Sequence, residues 1–257
     1  MRLTFLGTGT SFGVPQIGCA CAVCRSGDPR DRRMRTGAVI EQGGRCLLID
    51  TPPELRLGLL AAGIGRVDAV LFTHDHADHT HGIDDLRALS GGDHGTLPLF
   101  GPAESLERMR AKFDYVFDLG VRPIPGSSRA YVSATVIEAG RTAVIAGIEV
   151  LPLAFQHGPS TVFGYRFGAL AYVTDVKAVG AEAVAALRGV DTLVLNALFY
   201  RSHPTHQSIP EAVEAARAIG ARRTFLTHLT HETAHADLVR DLPADVQPAY
   251  DGLVLEV

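Results

Sequence analysis

The densest group of side chains that could do chemistry spans residues 73–79, which read THDHADH. His74 and His76 lie two positions apart and can point the same way from an extended turn, whereas the adjacent Asp78 and His79 can diverge towards a second point. Imidazole nitrogen binds zinc, iron and manganese, and carboxylate oxygen extends the choice to harder cations. The spacing therefore predicts two metal ions bound side by side. A solvated polar loop is the alternative, but the group directly follows an apolar stretch that is predicted to be a buried strand.

Cysteine forms a second concentration of candidate metal ligands. Cys19, Cys21 and Cys24 lie within six positions, and thiolates this dense in a reducing compartment are typical of a tetrahedral zinc site rather than of a disulfide framework. A fourth ligand is then required, and the natural candidate is His231, in the segment THLTH. The sequence therefore predicts a structural zinc site in a loop at about residues 18–25, with a loop of free cysteines as the alternative.

The histidine–aspartate pattern resembles that of a known family. His74-x-His76-x-Asp78-His79 is similar to the signature of metallo-β-lactamase-fold hydrolases, and counterparts of the family's later ligands follow predicted strands in the same order. The resemblance implies an α+β fold, a four-layer αββα sandwich, with a site for two divalent metals at one edge. The ligand sets that it implies are His74, His76 and His157 for one metal, Asp78, His79 and His228 for the other, and Asp175 as a bridge between them.

Two further aspartates lie close to these candidate ligands. Asp50, at the end of a predicted strand, matches an acidic position of the family and could accept a hydrogen bond from a ligand N–H. It could equally cap the helix that is predicted after Pro52. Asp75 lies between candidate ligands and is a weaker candidate for the same accepting role.

The cysteine loop narrows the resemblance to one subgroup of the superfamily. These are the phosphodiesterases of the carbon–phosphorus lyase pathway, which open phosphoribosyl 1,2-cyclic phosphate. The similar segments are GCACAVC from Gly18, TVFGY shortly after His157, and THLTH up to His231. The resemblance implies that two zinc or manganese ions hydrolyse small phosphodiesters, cyclic ribose phosphates above all, and that one structural zinc ion is present.

The implied reaction needs a nucleophile and a proton donor. Two metals about 3.5–4 Å apart can hold a bridging water and lower its pKa, so that hydroxide attacks phosphorus in line with the leaving oxygen. His206, in the segment SHPTHQS, falls where the similar phosphodiesterases carry a catalytic histidine, and we expect it to protonate the leaving oxygen. His203 is its rival. Asp78, together with His206, is predicted to be catalytic.

The elements that must position these groups follow from short apolar strands alternating with helices. Both halves of the chain are strand-rich first and then alternate strands with helices, which predicts two related half-sandwiches within a single domain, residues 1–257. Residues 114–131 are predicted to be a loop-rich insertion. Strands are predicted at 3–6, 38–41, 45–50, 67–73, 97–100, 132–138, 148–155, 162–167, 170–174, 191–196, 224–227 and 253–257, and helices at 53–62, 82–89, 103–113, 181–187, 210–218 and 232–242.

Composition limits the class of protein. The 257 residues are 46% hydrophobic and 20% charged, with a formal net charge of −4, which predicts a folded chain and argues against a broad basic surface for nucleic acid. No apolar run approaches the roughly 18 residues of a membrane span, and the N-terminal sequence lacks the pattern of a signal peptide. We therefore expect a cytoplasmic protein whose partner is a small phosphodiester substrate, and the similar phosphodiesterases suggest a homodimer.

Three other functions compete with this interpretation. A tRNA 3′-processing endonuclease of the same fold would share residues 74–79, but those enzymes hold tRNA with an extended basic arm. This chain has only two lysines and one local patch of arginines, at residues 30–35. A thioester or lactone hydrolase is not favoured by the cysteine loop. A zinc-held binding module would use a closed four-ligand cage without additional carboxylates.

Overall fold

Two seven-stranded β-sheets form the centre of the structure, a computed structural model that describes residues 1–118, 120 and 124–257. Short segments rich in valine, leucine and isoleucine form most of the strands, as expected of side chains that pack well on a pleated surface. The strands are β1 Arg2–Gly7, β2 Gly37–Gln42, β3 Arg45–Ile49, β4 Ala69–Leu71, β5 Leu97–Gly101, β6 Val132–Val136, β7 Ala143–Ile145, β8 Ile148–His157, β9 Ser160–Phe167, β10 Leu170–Val173, β11 Thr192–Asn196, β12 Arg223–Thr227, β13 Val246–Pro248 and β14 Val254–Glu256.

Both sheets are mixed. The first has the strand order β14-β1-β2-β3-β4-β5-β6, and the second has the order β13-β12-β11-β10-β9-β8-β7. Pairing is antiparallel from β14 to β3 and from β7 to β10. It is parallel from β3 to β6 and from β10 to β13. Each half of the chain therefore pairs its first strands antiparallel and its later strands in parallel.

Helices cover the outer faces of both sheets. Consecutive residues of β3 show the arrangement, because Leu47 packs in the cluster between the sheets with Tyr165, whereas Leu48 packs outwards with Leu106. The outer face of the second sheet packs in the same way against the later helices. This αββα layer order confirms the predicted fold. The α-helices are α1 Leu55–Ala61, α2 Ala77–Thr80, α3 Ala103–Lys112, α4 Asp114–Phe117, α5 Ala181–Leu187, α6 Ile209–Ile219 and α7 His235–Asp241.

A capping box fixes the start of α6. The Ser208 hydroxyl accepts a hydrogen bond from the Glu211 amide, and the Glu211 carboxylate accepts one from the Ser208 amide. This reciprocal arrangement satisfies backbone donors that an open helix end would leave unpaired. Lys177 also pairs with the Glu211 carboxylate at 2.6 Å. The segment that precedes α6, which contains His206, is therefore anchored at its C-terminal end.

Several predicted elements differ from the observed ones. The helix predicted at 82–89 is a 3₁₀ helix, Ile83–Ala88, and the short strands β7 and β13 are absent from the predicted set. In the predicted loop-rich segment 114–131, Asp114–Phe117 is helical, while residues 119 and 121–123 lie outside the described residues. Among the helices of the described ranges, none is long and apolar enough to cross a membrane.

Candidate metal centre

The candidate ligands lie on strand ends, on loops and on the short helix α2, which meet at one edge of the sandwich. His74 and His76 follow β4, and His157 is the last residue of β8. Asp175 follows β10 and His228 follows β12, two strands of the same parallel set. Because parallel strands end at the same edge of a sheet, these loops deliver their side chains to a common site.

Three residues at this edge have a left-handed backbone, which is uncommon outside glycine. The φ angle is 62° at Asp50, 59° at Asp175 and 58° at His228. Each follows a strand by one or two residues, so the chain turns sharply where the strand ends. Conformations of this kind cost about 1 kcal/mol or more each and concentrate at functional sites.

The structure brings the seven predicted ligands of the dinuclear site together in two overlapping groups. Within each group, one ligand atom per residue lies within 4.8 Å of the others. Asp175 belongs to both groups, with Oδ2 3.6 Å from His74 Nε2 and Oδ1 3.3 Å from His228 Nε2. Asp175 therefore lies where the two groups meet. The first group is His74, His76, His157 and Asp175, and the second is Asp78, His79, Asp175 and His228.

Buried nitrogen atoms without a hydrogen-bond partner make these groups suitable for binding cations. Nε2 of His74, His79 and His228 is buried and has no hydrogen-bond partner among the described residues. Nδ1 of His74 lies 2.9 Å from the Thr73 hydroxyl, and Nδ1 of His79 lies 2.7 Å from the Asp50 carboxylate. A buried polar atom left unpaired costs about 1–3 kcal/mol. Cations that accept the Nε2 lone pairs would remove that penalty, and the Nδ1 hydrogen bonds hold the rings in the required orientation.

Burial and neighbouring charges shift the pKa values of the side chains in this site. Although burial alone would raise the pKa of the Asp175 carboxyl, the neighbouring His228 and His79 hold it well below its usual range. Burial lowers the pKa of His74 well below that of a free imidazole. Burial also opposes the charge of His79, but Asp175 and Asp78 raise its pKa well above the usual value. Asp175 thus favours its charged form and His74 its neutral form, and a bound cation would displace the proton that the carboxylates stabilise on His79.

The two neighbouring aspartates have different roles. The Asp50 carboxylate is fully buried and accepts hydrogen bonds from the Thr73 amide and hydroxyl, each at 2.8 Å, as well as from His79. It therefore orients a candidate ligand and does not cap α1, whose N-cap residue is Glu54. Asp75 instead pairs with Lys112 on α3 at 2.5 Å, so its carboxylate does not orient a ligand. Thr73 was not predicted, and its position directly before the histidines is the only signal in the sequence.

The three clustered cysteines meet His231 as the sequence predicts. Nδ1 of His231 lies 3.4 Å from Cys19 Sγ and 3.3 Å from Cys21 Sγ, and these atoms and Cys24 Sγ form a four-ligand group. The backbone amide of Cys24 and the His231 ring lower the pKa of the Cys21 thiol to about 6. All four cysteines of the chain are free thiols. Three sulfurs and one imidazole nitrogen match a closed structural zinc site.

His206, rather than His203, faces the dinuclear group. Nε2 of His206 is buried and lies 3.5 Å from Asp175 Oδ2, whereas His203 lies behind it, with the two Nδ1 atoms 3.4 Å apart. The Thr205 hydroxyl lies 2.9 Å from Nδ1 of His206, and the Thr205 carbonyl lies 3.0 Å from Nδ1 of His157. This one residue therefore orients both a candidate ligand and the candidate proton donor, a role that sequence reasoning missed.

The site opens into a cavity of about 320 Å³. Its wall contains candidate ligands from both groups together with His206, Ser11 and Ser160. A volume of this order suits a small substrate rather than a polymer. Chemically, the edge combines carboxylates and imidazoles for two cations, an adjacent imidazole that can carry a proton, and open space for a ligand.

The fold is the metallo-β-lactamase fold, and the grouped side chains at its edge could hold two metal ions. The family model described as a β-lactamase superfamily domain matches residues 45–229, and the chain belongs to that superfamily. The crystal structure of a new diphosphatase from the PhnP family is 38% identical, has a TM-score of 0.92, and covers 100% of this chain and 97% of that chain.

Two curated relatives match over shorter parts of their own lengths. An octanoyltransferase of Porphyromonas gingivalis is 38% identical over 256 residues, 98% of this chain and 51% of the relative. A ribonuclease Z of Bradyrhizobium diazoefficiens is 27% identical over 169 residues, 64% of this chain and 49% of the relative. The chain thus spans about half the length of these curated relatives.

Proposed function

We propose that this chain uses two bound divalent cations to hydrolyse small phosphoric esters or anhydrides, with cyclic ribose phosphodiesters as the first substrates to test. The observation that carries the proposal is the shared carboxylate of Asp175, which joins both ligand groups and lies 3.5 Å from His206 Nε2 in one cavity. Similarity to a diphosphatase of the PhnP family supports the same class of phosphorus chemistry.

The residues divide the work among holding cations, orienting ligands and moving a proton. Bound divalent cations supply a water of lowered pKa and stabilise the negative charge that develops on phosphate oxygens. The seven grouped side chains hold them, and Asp50, Thr73 and the Thr205 carbonyl fix ring orientations through hydrogen bonds to Nδ1 atoms. His206 presents Nε2 to the same cavity and is placed to donate a proton to the leaving oxygen.

The proposal extends to the identity of the ions and the setting of the protein. Zinc or manganese suits the mixed imidazole and carboxylate groups, and zinc suits the three cysteines with His231. We expect metal analysis of the purified protein to give about three ions per chain. Reduced thiols at this density are typical of the cytoplasm, and size-exclusion chromatography with light scattering tests the proposed homodimer.

Hydrolysis by the cation-loaded protein is the direct test. We expect turnover of bis(p-nitrophenyl) phosphate, of phosphoribosyl 1,2-cyclic phosphate or of a diphosphate diester after loading with Zn²⁺ or Mn²⁺. His206→Ala should lower kcat about 100-fold with unchanged metal content, because general acid catalysis contributes at least about that factor. His94→Ala, on an exposed 3₁₀ helix, is the matched control. Absence of turnover on all three substrates by fully loaded protein would refute the proposal.

Acyl transfer chemistry is the second candidate, because a relative that matches 98% of this chain is named an octanoyltransferase. The same site could hydrolyse an acyl thioester. Release of free thiol from an octanoyl thioester, faster than turnover of every phosphorus substrate, would favour this candidate over the first.

The tRNA endonuclease reading receives less support. Of the arginine patch at residues 30–35, Arg33 is only 3% exposed, Arg35 pairs with Glu54, and Arg30 pairs with Asp28. These guanidinium groups are therefore engaged within the protein. We therefore expect that the protein does not shift tRNA in a gel at physiological salt, because binding to nucleic acid depends largely on basic side chains that contact phosphates.

A further inference from the structure

A second cavity, of about 270 Å³, adjoins the one that contains the metal-ligand groups. Ser11, His206 and His228 line both cavities, so the two spaces meet at the candidate proton donor. In an in-line displacement, the leaving group departs on the side opposite to the attacking oxygen. A leaving group that takes its proton from His206 would therefore extend into this second space, which we call the outer cavity.

The wall of the outer cavity contains a stacked arginine. The Arg201 guanidinium lies over the Phe199 ring, with Cζ 3.7 Å from the ring centroid. Phe199 is only 8% exposed, whereas the side chain of Arg201 is 64% exposed. The ring covers one face of the guanidinium, the rest of the side chain is exposed, and both residues line the outer cavity. Phe12, which is 65% exposed, lines the same cavity.

The charge around Arg201 favours a neutral planar group over an additional phosphate. Glu232 pairs with Nη1 of Arg201, so the guanidinium charge is already balanced. A second anion here would meet the Glu232 carboxylate as well as the arginine. The open face of the guanidinium, the exposed Phe12 ring and the hydrogen-bonding side chain of Gln16 are what a flat heterocycle with polar edges requires.

We propose that the outer cavity is a subsite for the leaving half of the substrate and that Arg201, stacked on Phe199, recognises a nucleobase carried by that half. This inference rests on the proposed phosphorus chemistry and adds the substrate class: esters or anhydrides of nucleosides. Glu232 holds the guanidinium in place through its ion pair, and Phe12 provides the second aromatic surface.

Ligand binding tests the subsite without requiring turnover. Titration calorimetry on the Zn²⁺-loaded full chain should show AMP binding at least about tenfold more tightly than ribose 5-phosphate, because the two ligands share the phosphate and differ by the base. Arg201→Ala should abolish that ratio, a loss within the range measured for removing one stacking partner from a base. Arg141→Ala, at a side chain that is 79% exposed, should preserve it, and Phe12→Ala should reduce it.

Equal affinity for the two ligands, no measurable binding of AMP at millimolar concentration, or a preference that Arg201→Ala leaves intact would each overturn the subsite.

A matched pair of substrates gives the kinetic readout. Adenosine 2′,3′-cyclic phosphate and glycerol 1,2-cyclic phosphate share a five-membered cyclic diester, but only the first carries a base. Arg201→Ala should lower kcat/KM about tenfold for the first and leave the second unchanged. If the protein hydrolyses none of the phosphorus substrates but still binds AMP more tightly than ribose 5-phosphate, the proposed function is refuted and the subsite stands.

Discussion

Replacing the Asp50 carboxylate with an amide should change metal binding while leaving the fold intact. The carboxylate accepts hydrogen bonds from the Thr73 amide at 2.8 Å, the Thr73 hydroxyl at 2.8 Å and His79 Nδ1 at 2.7 Å. In Asp50→Asn, the remaining oxygen still accepts from the Thr73 amide. The new NH₂ group, however, faces His79 Nδ1 and the Thr73 hydroxyl. Nδ1 of His79 must then accept a hydrogen bond instead of donating one. The Thr73 hydroxyl must accept from the new amide and donate to His74 Nδ1, 2.9 Å away.

The consequence is a proton on Nε2 of both His74 and His79, the atoms that face the two ligand groups. Changes to hydrogen-bond partners behind a ligand lower metal affinity about 10–100-fold, equivalent to about 1.4–2.7 kcal/mol for each ion. The unfolding free energy of metal-free Asp50→Asn should fall by about 1–3 kcal/mol, because His79 loses the carboxylate that accepts from its Nδ1. Asp50→Ala removes the acceptor of the Thr73 amide and should cost about 1–3 kcal/mol more.

Equilibrium dialysis against a Zn²⁺-buffering chelator, followed by elemental analysis, measures the affinities. Urea unfolding of the metal-free proteins measures stability. The reasoning fails if Asp50→Asn retains both ions with parental affinity, or if it destabilises the metal-free chain as much as Asp50→Ala does. Either result would mean that the carboxylate does not set the protonation of the two histidines.

Three further predictions concern the rest of the molecule. Cys24→Ser should lower the zinc content by one ion per chain and leave the other two bound, because the cysteine group and the dinuclear groups share no ligand; retention of three ions in elemental analysis would contradict it. Burial and the nearby Arg33 lower the pKa of His235 to about 4, so this residue stabilises the fold above pH 6.5 and loses that contribution as the pH falls through 4. Between pH 6.5 and pH 4, thermal unfolding should show that the parent protein loses about 2 kcal/mol more of its unfolding free energy than His235→Gln does. Equal losses in the two proteins would contradict this prediction. Gly82→Ala should destabilise by about 3 kcal/mol in urea, because a Cβ would lie 2.1 Å from the Pro52 carbonyl oxygen, whereas a change below 1 kcal/mol would show that the loop relaxes.

The layer order and the ligand sets were implied by the family resemblance, and local patterns located the residues that carry it. His74 to His79 lie on one short turn, and each later candidate ligand lies at the end of a strand that is apolar enough to recognise. His231 could be named from more than 200 positions away because three thiolates require a fourth ligand. In such cases the chemistry of the residue type supplies the long-range information that periodicity lacks.

Other features depend on tertiary packing that no local pattern records. Arg33 resembles its exposed neighbours in sequence, yet it is buried and donates to the Thr8 hydroxyl at 2.9 Å and the Ala249 carbonyl at 2.6 Å. Asp75 stands between candidate ligands, but its partner Lys112 comes from a helix 37 positions later. Thr205 orients His157 through its backbone carbonyl, which carries no sequence signal at all.

The left-handed backbone at Asp50, Asp175 and His228 constrains how this edge of the sandwich can evolve. As long as the chemistry is needed, these positions keep side chains whose backbone geometry is unfavourable, and the hydrophobic layers compensate. A descendant released from the reaction could exchange them for glycine, which adopts this geometry without steric cost. Relatives that lack the metal-ligating side chains and have glycine at these three positions should then be more stable. The glycines alone would identify them as proteins that no longer need the metal site.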